Sequence, residues 1–276
     1  MKKITLTHAY LVIIGICLVI FTFGIPVFQK PDEILHFKRA FALALGQLTC
    51  KTDANHIRGY FSYPVSLEQF PASMMADAII MKPEGKFPLA LLRSPYPIGD
   101  KKNTADLAYN CRLPFTGYIP QAIGIVLVMP MGNILISFFA ARASAALFFF
   151  LTLVNALRII PRKLKPILSF CSFLPMTLQQ ATAVSYDSVA ISLGFILFAW
   201  FTNLVEKQEL SVGSVFGYFA LTLLFLFTKP GYYLFGGFVL FLLWKTRISF
   251  KQKIIVGSAL VLGIVLVSWY GLTLPI

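Results

Sequence analysis

The sequence predicts an all-α protein that crosses a membrane several times. Its 276 residues are 58% hydrophobic and only 13% charged, and the mean hydropathy is +0.77. Several apolar stretches reach about 18 residues, close to the ~20 residues that a helix needs to cross the hydrocarbon core. A helix also satisfies its own backbone hydrogen bonds in lipid. The basic residues do not cluster on one face as a nucleic-acid interface would, so no nucleic-acid partner is expected.

Seven transmembrane helices are predicted along the chain. They fall at residues 9–28, 133–157, 166–181, 187–205, 211–228, 231–245 and 254–272. We interpret the first as a retained signal anchor, because its apolar run is long for a signal peptide and no small-x-small cleavage site follows it. The chain then divides into the anchor (1–28), a long loop with juxtamembrane helices (29–131) and a six-helix membrane bundle (132–276).

Basic residues in the short loops predict the orientation. Lys2 and Lys3 precede the first helix, and further Lys and Arg residues follow the second and sixth helices. The positive-inside rule then places the N-terminus in the cytoplasm and residues 29–131 outside, where loops of this length are exempt from the rule. This orientation requires that the apolar stretch 115–131 does not span. Its prolines and glycines favour an interfacial helix on the outer leaflet.

Two of the four cysteines, Cys50 and Cys111, fall in the predicted external loop. An oxidising compartment would favour a disulfide between them, and the alternative is two free thiols. Cys17 and Cys171 fall inside predicted membrane helices, where a small apolar thiol is ordinary.

The segment after the first helix carries a cluster of ionisable residues, which are scarce in this chain. Pro31 suits a first helical turn, and Asp32 and Glu33 would follow at the positive end of the helix dipole. One turn later His36 would share a face with Asp32, and Arg39 would extend that face. We predict an amphipathic interfacial helix that presents two acids and an imidazole. The alternatives are capping acids beside a solvated histidine, or a divalent metal site.

Three further charges lie at or near the same outer boundary. Asp187 follows Tyr186 at the start of the fourth predicted helix, Lys229 ends the fifth, and Arg142 lies within the second. Charges at such positions are costly and are candidates for function, and a cation at a helix break suits a phosphate group. The alternatives are a helix cap for Asp187, snorkelling for Lys229 and an interhelical ion pair for Arg142.

Several motifs resemble a bacterial family of predicted membrane proteins of unknown function, numbered 2142, and the resemblance covers nearly the whole chain. The motifs are Pro-Asp-Glu-x-x-His-Phe-x-Arg-Ala at 31–40, Leu-Pro-Phe-Thr-Gly-Tyr-Ile-Pro-Gln-Ala-Ile-Gly at 113–124, Leu-Pro-Met-Thr-Leu-Gln-Gln-Ala at 174–181, Ser-Tyr-Asp at 185–187 and Lys-Pro at 229–230. In layout this family is similar to the GT-C membrane glycosyltransferases. Those enzymes place an acid in the first external loop and use a polyprenyl-phosphate-linked sugar.

The resemblance implies roles for a few residues. Asp32 would act as the general base on an acceptor hydroxyl, and Glu33 and His36 would orient either Asp32 or the acceptor. Lys229 would bind the lipid phosphate. The further candidates for substrate binding are Arg142, Asp187, Arg39 and Tyr186. No cofactor is expected.

The expected function is therefore transfer of a sugar from a polyprenyl-phosphate donor to a glycan, lipid or protein acceptor, at the outer face of the bacterial cytoplasmic membrane. GT-C enzymes normally have more helices, so the chain is expected to be a short member, a fragment or one half of a complex with a membrane-protein partner. The alternative is a non-enzymatic transporter, flippase or scaffold for lipid-linked sugars.

Overall fold

The computed structural model describes residues 6–52, 59–74, 88–99, 102–106, 114–207, 211–229, 231–232, 234–245 and 249–273. The described α-helices are α1 (Leu6–Phe23), α2 (Glu33–Ala44), α3 (Val65–Ser73), α4 (Ile119–Val128), α5 (Ile134–Ile159), α6 (Lys165–Phe173), α7 (Pro175–Ala181), α8 (Tyr186–Glu206), α9 (Val212–Thr228), α10 (Leu234–Lys245) and α11 (Phe250–Thr273). Short 3-10 turns cover Leu89–Arg93, Phe115–Tyr118, Met129–Met131 and Arg162–Leu164.

A small sheet accompanies the helices in the predicted external region. Its strands are β1 (Lys51–Thr52), β2 (Gly59–Pro64) and β3 (Lys102–Asp106), which pair antiparallel in the order β1-β2-β3. The sequence predicts juxtamembrane helices in this loop but no strands. The fold is therefore mainly α-helical with one small added sheet.

Two of the described helices, α5 and α8, are long and apolar enough to cross a membrane. Shorter apolar helices overlap the predicted spans at Thr7–Phe23, Gly213–Thr228 and Phe235–Lys245. The predicted helices thus form close to their expected positions, while a count of seven membrane crossings stays a prediction.

The predicted span at residues 166–181 is instead two short helices. The chain breaks at Leu174, whose backbone is extended with ψ 135°, and α7 starts at Pro175. Proline disfavours the helical conformation in the residue before it and has no N–H to donate, so a helix ends here. The break divides the apolar run into α6 and α7.

The apolar stretch 115–131 folds back along α5 instead of lying alone on a surface. Gly132 takes a left-handed turn (φ +64°), and the Asn133 side chain accepts hydrogen bonds from two backbone N–H groups at the start of α5. Gly124 of α4 then lies so close to α5 that a Cβ would fall 2.4 Å from the carbonyl oxygen of Ala140. The two helices therefore form a tight antiparallel hairpin, and its depth in the bilayer stays a prediction.

The helix predicted to start at Pro31 begins two residues later and is largely buried. Asp32 precedes α2 in a left-handed conformation (φ +54°), and eight of the twelve helix residues are buried. Phe37 and Phe41 pack in an aromatic core with Phe28 and Phe138. Of the two acids and the imidazole that this helix was predicted to present, Asp32 is exposed, whereas Glu33 is covered by Arg142 of α5 and His36 by Tyr118 and Tyr186.

Candidate functional site

Asp32 lines a cavity of about 660 Å³, which we call the Asp32 cavity. The cavity is lined by Phe28, Gln29, Lys30, Pro31, Asp32, Glu33, Ile34, Leu35 and Gln179. Asp32 is exposed, and Phe28 also adopts a left-handed backbone (φ +61°). Two non-glycine residues with positive φ within five positions are unusual, and such strain often accompanies a functional site. Asp32 is therefore the acid of the motif that is available to a ligand.

Glu33 and Arg142 form a buried ion pair that joins α2 to α5. The Glu33 carboxylate accepts hydrogen bonds from Arg142 Nε (2.8 Å) and Nη2 (2.6 Å), and both side chains are fully buried. Arg142 also donates to the backbone carbonyls of Thr22, Ile25 and Pro26 at the end of α1. These five bonds use every N–H of the guanidinium. We interpret the pair as a structural brace, as one alternative for Arg142 anticipated, instead of as substrate ligands.

Lys30 lies beside this pair and was not singled out from the sequence. Its Nζ donates to the backbone oxygen (2.7 Å) and the hydroxyl oxygen (2.6 Å) of Thr182. Burial, with a smaller contribution from the charge of Arg142, lowers the pKa of Lys30 to about 6. A neutral amine has two N–H donors, which matches these two hydrogen bonds. At neutral pH the charged groups here are therefore Glu33 and Arg142, and Lys30 adds no further charge.

His36 lies in the interior, close to Tyr118 and Tyr186. Its Nδ1 is 2.7 Å from the Tyr118 hydroxyl, and its ring meets the edge of the Tyr186 ring at 5.1 Å. Burial lowers the pKa of His36 more than the nearby carboxylates of Asp187 and Asp32 raise it. The imidazole is therefore mainly neutral at pH 7.

Asp187 and Lys229 form a partly exposed ion pair at 2.5 Å between the start of α8 and the end of α9. The cap of α8 is Ser185, which leaves Asp187 in the first turn, where the helix dipole favours a carboxylate. The ammonium lies 5.3 Å from the Tyr186 ring centre and 5.1 Å from that of Tyr232. Partial burial would lower the pKa of Lys229, but its interaction with Asp187 outweighs burial and the net pKa is raised.

This ion pair lies in the lining of an apolar groove of about 660 Å³, which we call the Lys229 groove. Besides the ion pair and Gln180, the lining is mainly apolar and includes Ile191, Phe195, Phe198, Phe225, Phe235 and Phe238. Some of these side chains are exposed at the surface of the helices, including Phe198 and Phe238. The groove thus combines an aromatic channel with one charged pair, which suits an amphipathic ligand.

Arg39 lines neither the Asp32 cavity nor the Lys229 groove. It is buried and donates to the carbonyls of Gln47 and Leu48, and its guanidinium lies 4.4 Å from the Phe61 ring centre. These contacts fix the turn after α2 against β2. The guanidinium also lies 5.6 Å from the Tyr118 ring centre, and the predicted role of Arg39 in substrate binding stays a prediction.

Only one of the two cysteines of the predicted disulfide lies among the residues that the structure describes. Cys50 is disulfide-bonded, whereas Cys17 and Cys171 are free thiols. Cys111 lies outside the described residues, so the pairing of Cys50 with Cys111 stays a prediction.

The segment 113–124 supplies residues whose roles sequence analysis did not assign. Tyr118 bonds His36, and the fully buried Gln121 donates to Ser185 and Ser188 at the start of α8. Gly117 allows this approach, because a Cβ there would lie 2.5 Å from the Tyr186 Cβ. The motif itself was the available signal, but only the fold shows that it holds the start of α8 beside His36.

A metal site at the opening motif is not supported by the geometry. Within the described ranges, no group of three or more His, Cys, Asp or Glu side chains is arranged to hold a metal ion. Both carboxylate oxygens of Glu33 are bound by Arg142, which leaves Asp32 without the second acid that the metal alternative required.

Together, these features define an α-helical membrane protein with two cavities, one lined by Asp32 and the other by the Asp187–Lys229 pair, and α7 contributes to the lining of both. The chain belongs to the family described as predicted membrane protein (DUF2142), whose model matches residues 15–275. No curated protein and no solved structure matches the chain.

Proposed function

We propose that this protein is an integral-membrane glycosyltransferase. It would transfer a sugar from a polyprenyl-phosphate donor to a cell-envelope acceptor, at the outer side of the bacterial cytoplasmic membrane. The N-terminus would be cytoplasmic and residues 29–131 external. The observation that carries the proposal is the Lys229 groove, which offers an aromatic channel for an isoprenoid chain and a lysine for the phosphate beside it.

Lys229 supports the phosphate role through its position and its charge. It caps the end of α9, and contact with Asp187 keeps its pKa raised, so the ammonium is fully charged at neutral pH. A leaving lipid phosphate would compete with Asp187 for this cation, and positive charge there would stabilise the transition state.

Asp32 is the candidate general base. Its carboxylate is exposed, whereas Glu33 is occupied by Arg142. A positioned base contributes typically ~10²–10⁴-fold to such a transfer. The His36 ring contacts Tyr186, whose own ring lies under the Lys229 ammonium, and we assign these two residues the role of positioning the reactants.

Complementation in a host that lacks the gene tests this function. Asp32→Asn and Lys229→Ala should each abolish one specific envelope sugar while the protein still reaches the membrane. Lys163→Ala is the matched control, because Lys163 also pairs with an acid, Glu206 at 2.6 Å, but at the other end of α8.

The outcome separates the two functions considered. If both site variants retain the full envelope glycan at normal expression, the enzyme assignment is refuted and the transporter or scaffold function replaces it. Loss of the sugar in the Lys163→Ala control as well would show that the defect is one of folding.

A further inference from the structure

We propose that the Asp32 cavity is the acceptor site and that it takes a neutral, hydroxyl-rich saccharide end, bound by Asp32, Gln29 and Gln179. This inference deepens the proposed function and rests on it, because it assigns the second substrate of the same reaction. It also assigns a role to Gln29 and Gln179, which sequence analysis did not.

The polar groups that face the cavity come from separate parts of the chain. Asp32 and Gln29 belong to the connection between α1 and α2, and Gln179 belongs to α7. The Gln29 amide nitrogen is buried and has no hydrogen-bond partner among the residues that the structure describes. A buried donor without a partner is unfavourable, so a ligand oxygen that draws this N–H into the cavity by a rotation of the Gln29 side chain would satisfy it.

The charge of the cavity selects against an anionic ligand. Two cations lie nearby, but Arg142 already uses all its donors, and Lys30 bonds Thr182 and is uncharged near neutral pH. Asp32 is then the exposed charge in the lining, and it would repel a phosphate or carboxylate. One carboxylate and two amides supply both donors and acceptors, which is what alcohol groups require.

The two cavities therefore divide the chemistry of the reaction. The neighbouring residues Gln179 and Gln180 on α7 line the Asp32 cavity and the Lys229 groove, respectively. The Asp32 cavity offers a carboxylate and two amide side chains to a neutral saccharide, whereas the groove is mainly apolar and offers a cation to a lipid phosphate.

Gln179 and Gln180 allow a matched test of both sites. The full chain, with Cys17 and Cys171 changed to serine, would carry either Gln179→Cys or Gln180→Cys in lipid nanodiscs. The rate of labelling by a water-soluble maleimide would be measured with three probes. These are neutral oligosaccharides hydrolysed from the host envelope, inorganic phosphate and farnesyl phosphate.

The saccharides should slow labelling of Gln179→Cys severalfold and leave Gln180→Cys unchanged, and farnesyl phosphate should do the reverse. Adding Asp32→Asn to the Gln179→Cys protein should raise the saccharide concentration that gives half-protection about tenfold, because one charge-assisted hydrogen bond to the saccharide would be lost. Inorganic phosphate should protect neither cysteine at concentrations where the saccharides act.

Each failure has a separate meaning. Protection of Gln180→Cys by farnesyl phosphate without any saccharide effect on Gln179→Cys would overturn the acceptor site and leave the proposed function standing. Protection of Gln179→Cys by phosphate as strong as by saccharide would overturn the assigned ligand class. Saccharide protection without any farnesyl phosphate effect would support the saccharide site and count against the lipid-phosphate donor.

Discussion

Glu33→Gln should destabilise the protein strongly, whereas Asp32→Asn, one residue earlier, should not. The introduced amide would keep one acceptor for Arg142 but would turn an N–H toward the guanidinium, where a carboxylate oxygen of Glu33 now accepts at 2.6 Å. Both side chains are fully buried, so the Arg142 charge would lose its counterion in the interior. Breaking a buried pair in this way costs about 3–5 kcal/mol.

The Asp32 change is the matched control, since both variants replace a carboxylate by its amide. Asp32 is exposed, and asparagine tolerates a left-handed backbone well, so the expected change in unfolding free energy is within about 0.5 kcal/mol. The measurement is thermal unfolding of purified protein in nanodiscs, together with membrane expression. A Glu33→Gln protein as stable as wild type but inactive would refute the brace and return Glu33 to the catalytic role.

Three further perturbations test the surroundings of the site. Between about pH 6 and 10.5, Lys30 is protonated in the unfolded chain but not in the folded chain, so it makes the free energy of unfolding rise with pH by up to ~1.4 kcal/mol per pH unit. Lys30→Met should remove that pH dependence and raise the unfolding temperature at pH 7. Equal pH dependence in both proteins would contradict a neutral Lys30 amine. Gly124→Val should lower the free energy of unfolding by about 1–3 kcal/mol or more, because the added side chain would push α4 away from α5. Gly257→Ala is the control: a Cβ there meets nothing within 4 Å, so the same unfolding assay should show no change or a gain in stability. Tyr118→Phe should leave the buried His36 Nδ1 without its partner and lower stability by about 1–3 kcal/mol, and an unchanged unfolding temperature would show that this hydrogen bond contributes nothing.

Local patterns in the sequence were sufficient to locate most of the helices. Runs of apolar residues predicted α5 and α8 close to where they form, and the prolines and glycines of 115–131 predicted a helix that does not span, which stays a prediction. Pro175 was the signal for the break between α6 and α7, but its position inside an apolar run made the run look like one span. Propensity is local, so it predicts elements better than it predicts their ends.

The identity of the site residues was only partly accessible from the sequence. Scarcity of charge pointed to Asp32, His36, Asp187 and Lys229, which the structure places around one interior region. The scarcity of charged residues pointed equally to Arg142, because a charge in an apolar segment is equally costly whether it binds a ligand or pairs with another side chain of the protein. Only contacts between α2 and α5 distinguish these cases.

The sequence by itself determined that the chain is helical, apolar enough for a membrane and charged at a few boundary positions, because these properties depend on composition and short-range periodicity. The tertiary structure decided which of two adjacent acids is exposed: Glu33 is bound by an arginine 109 residues away, and Asp32 faces a cavity. It also decided that adjacent glutamines on α7 line different cavities. Such outcomes depend on contacts between distant segments, and helical spacing within one segment carries no information about them.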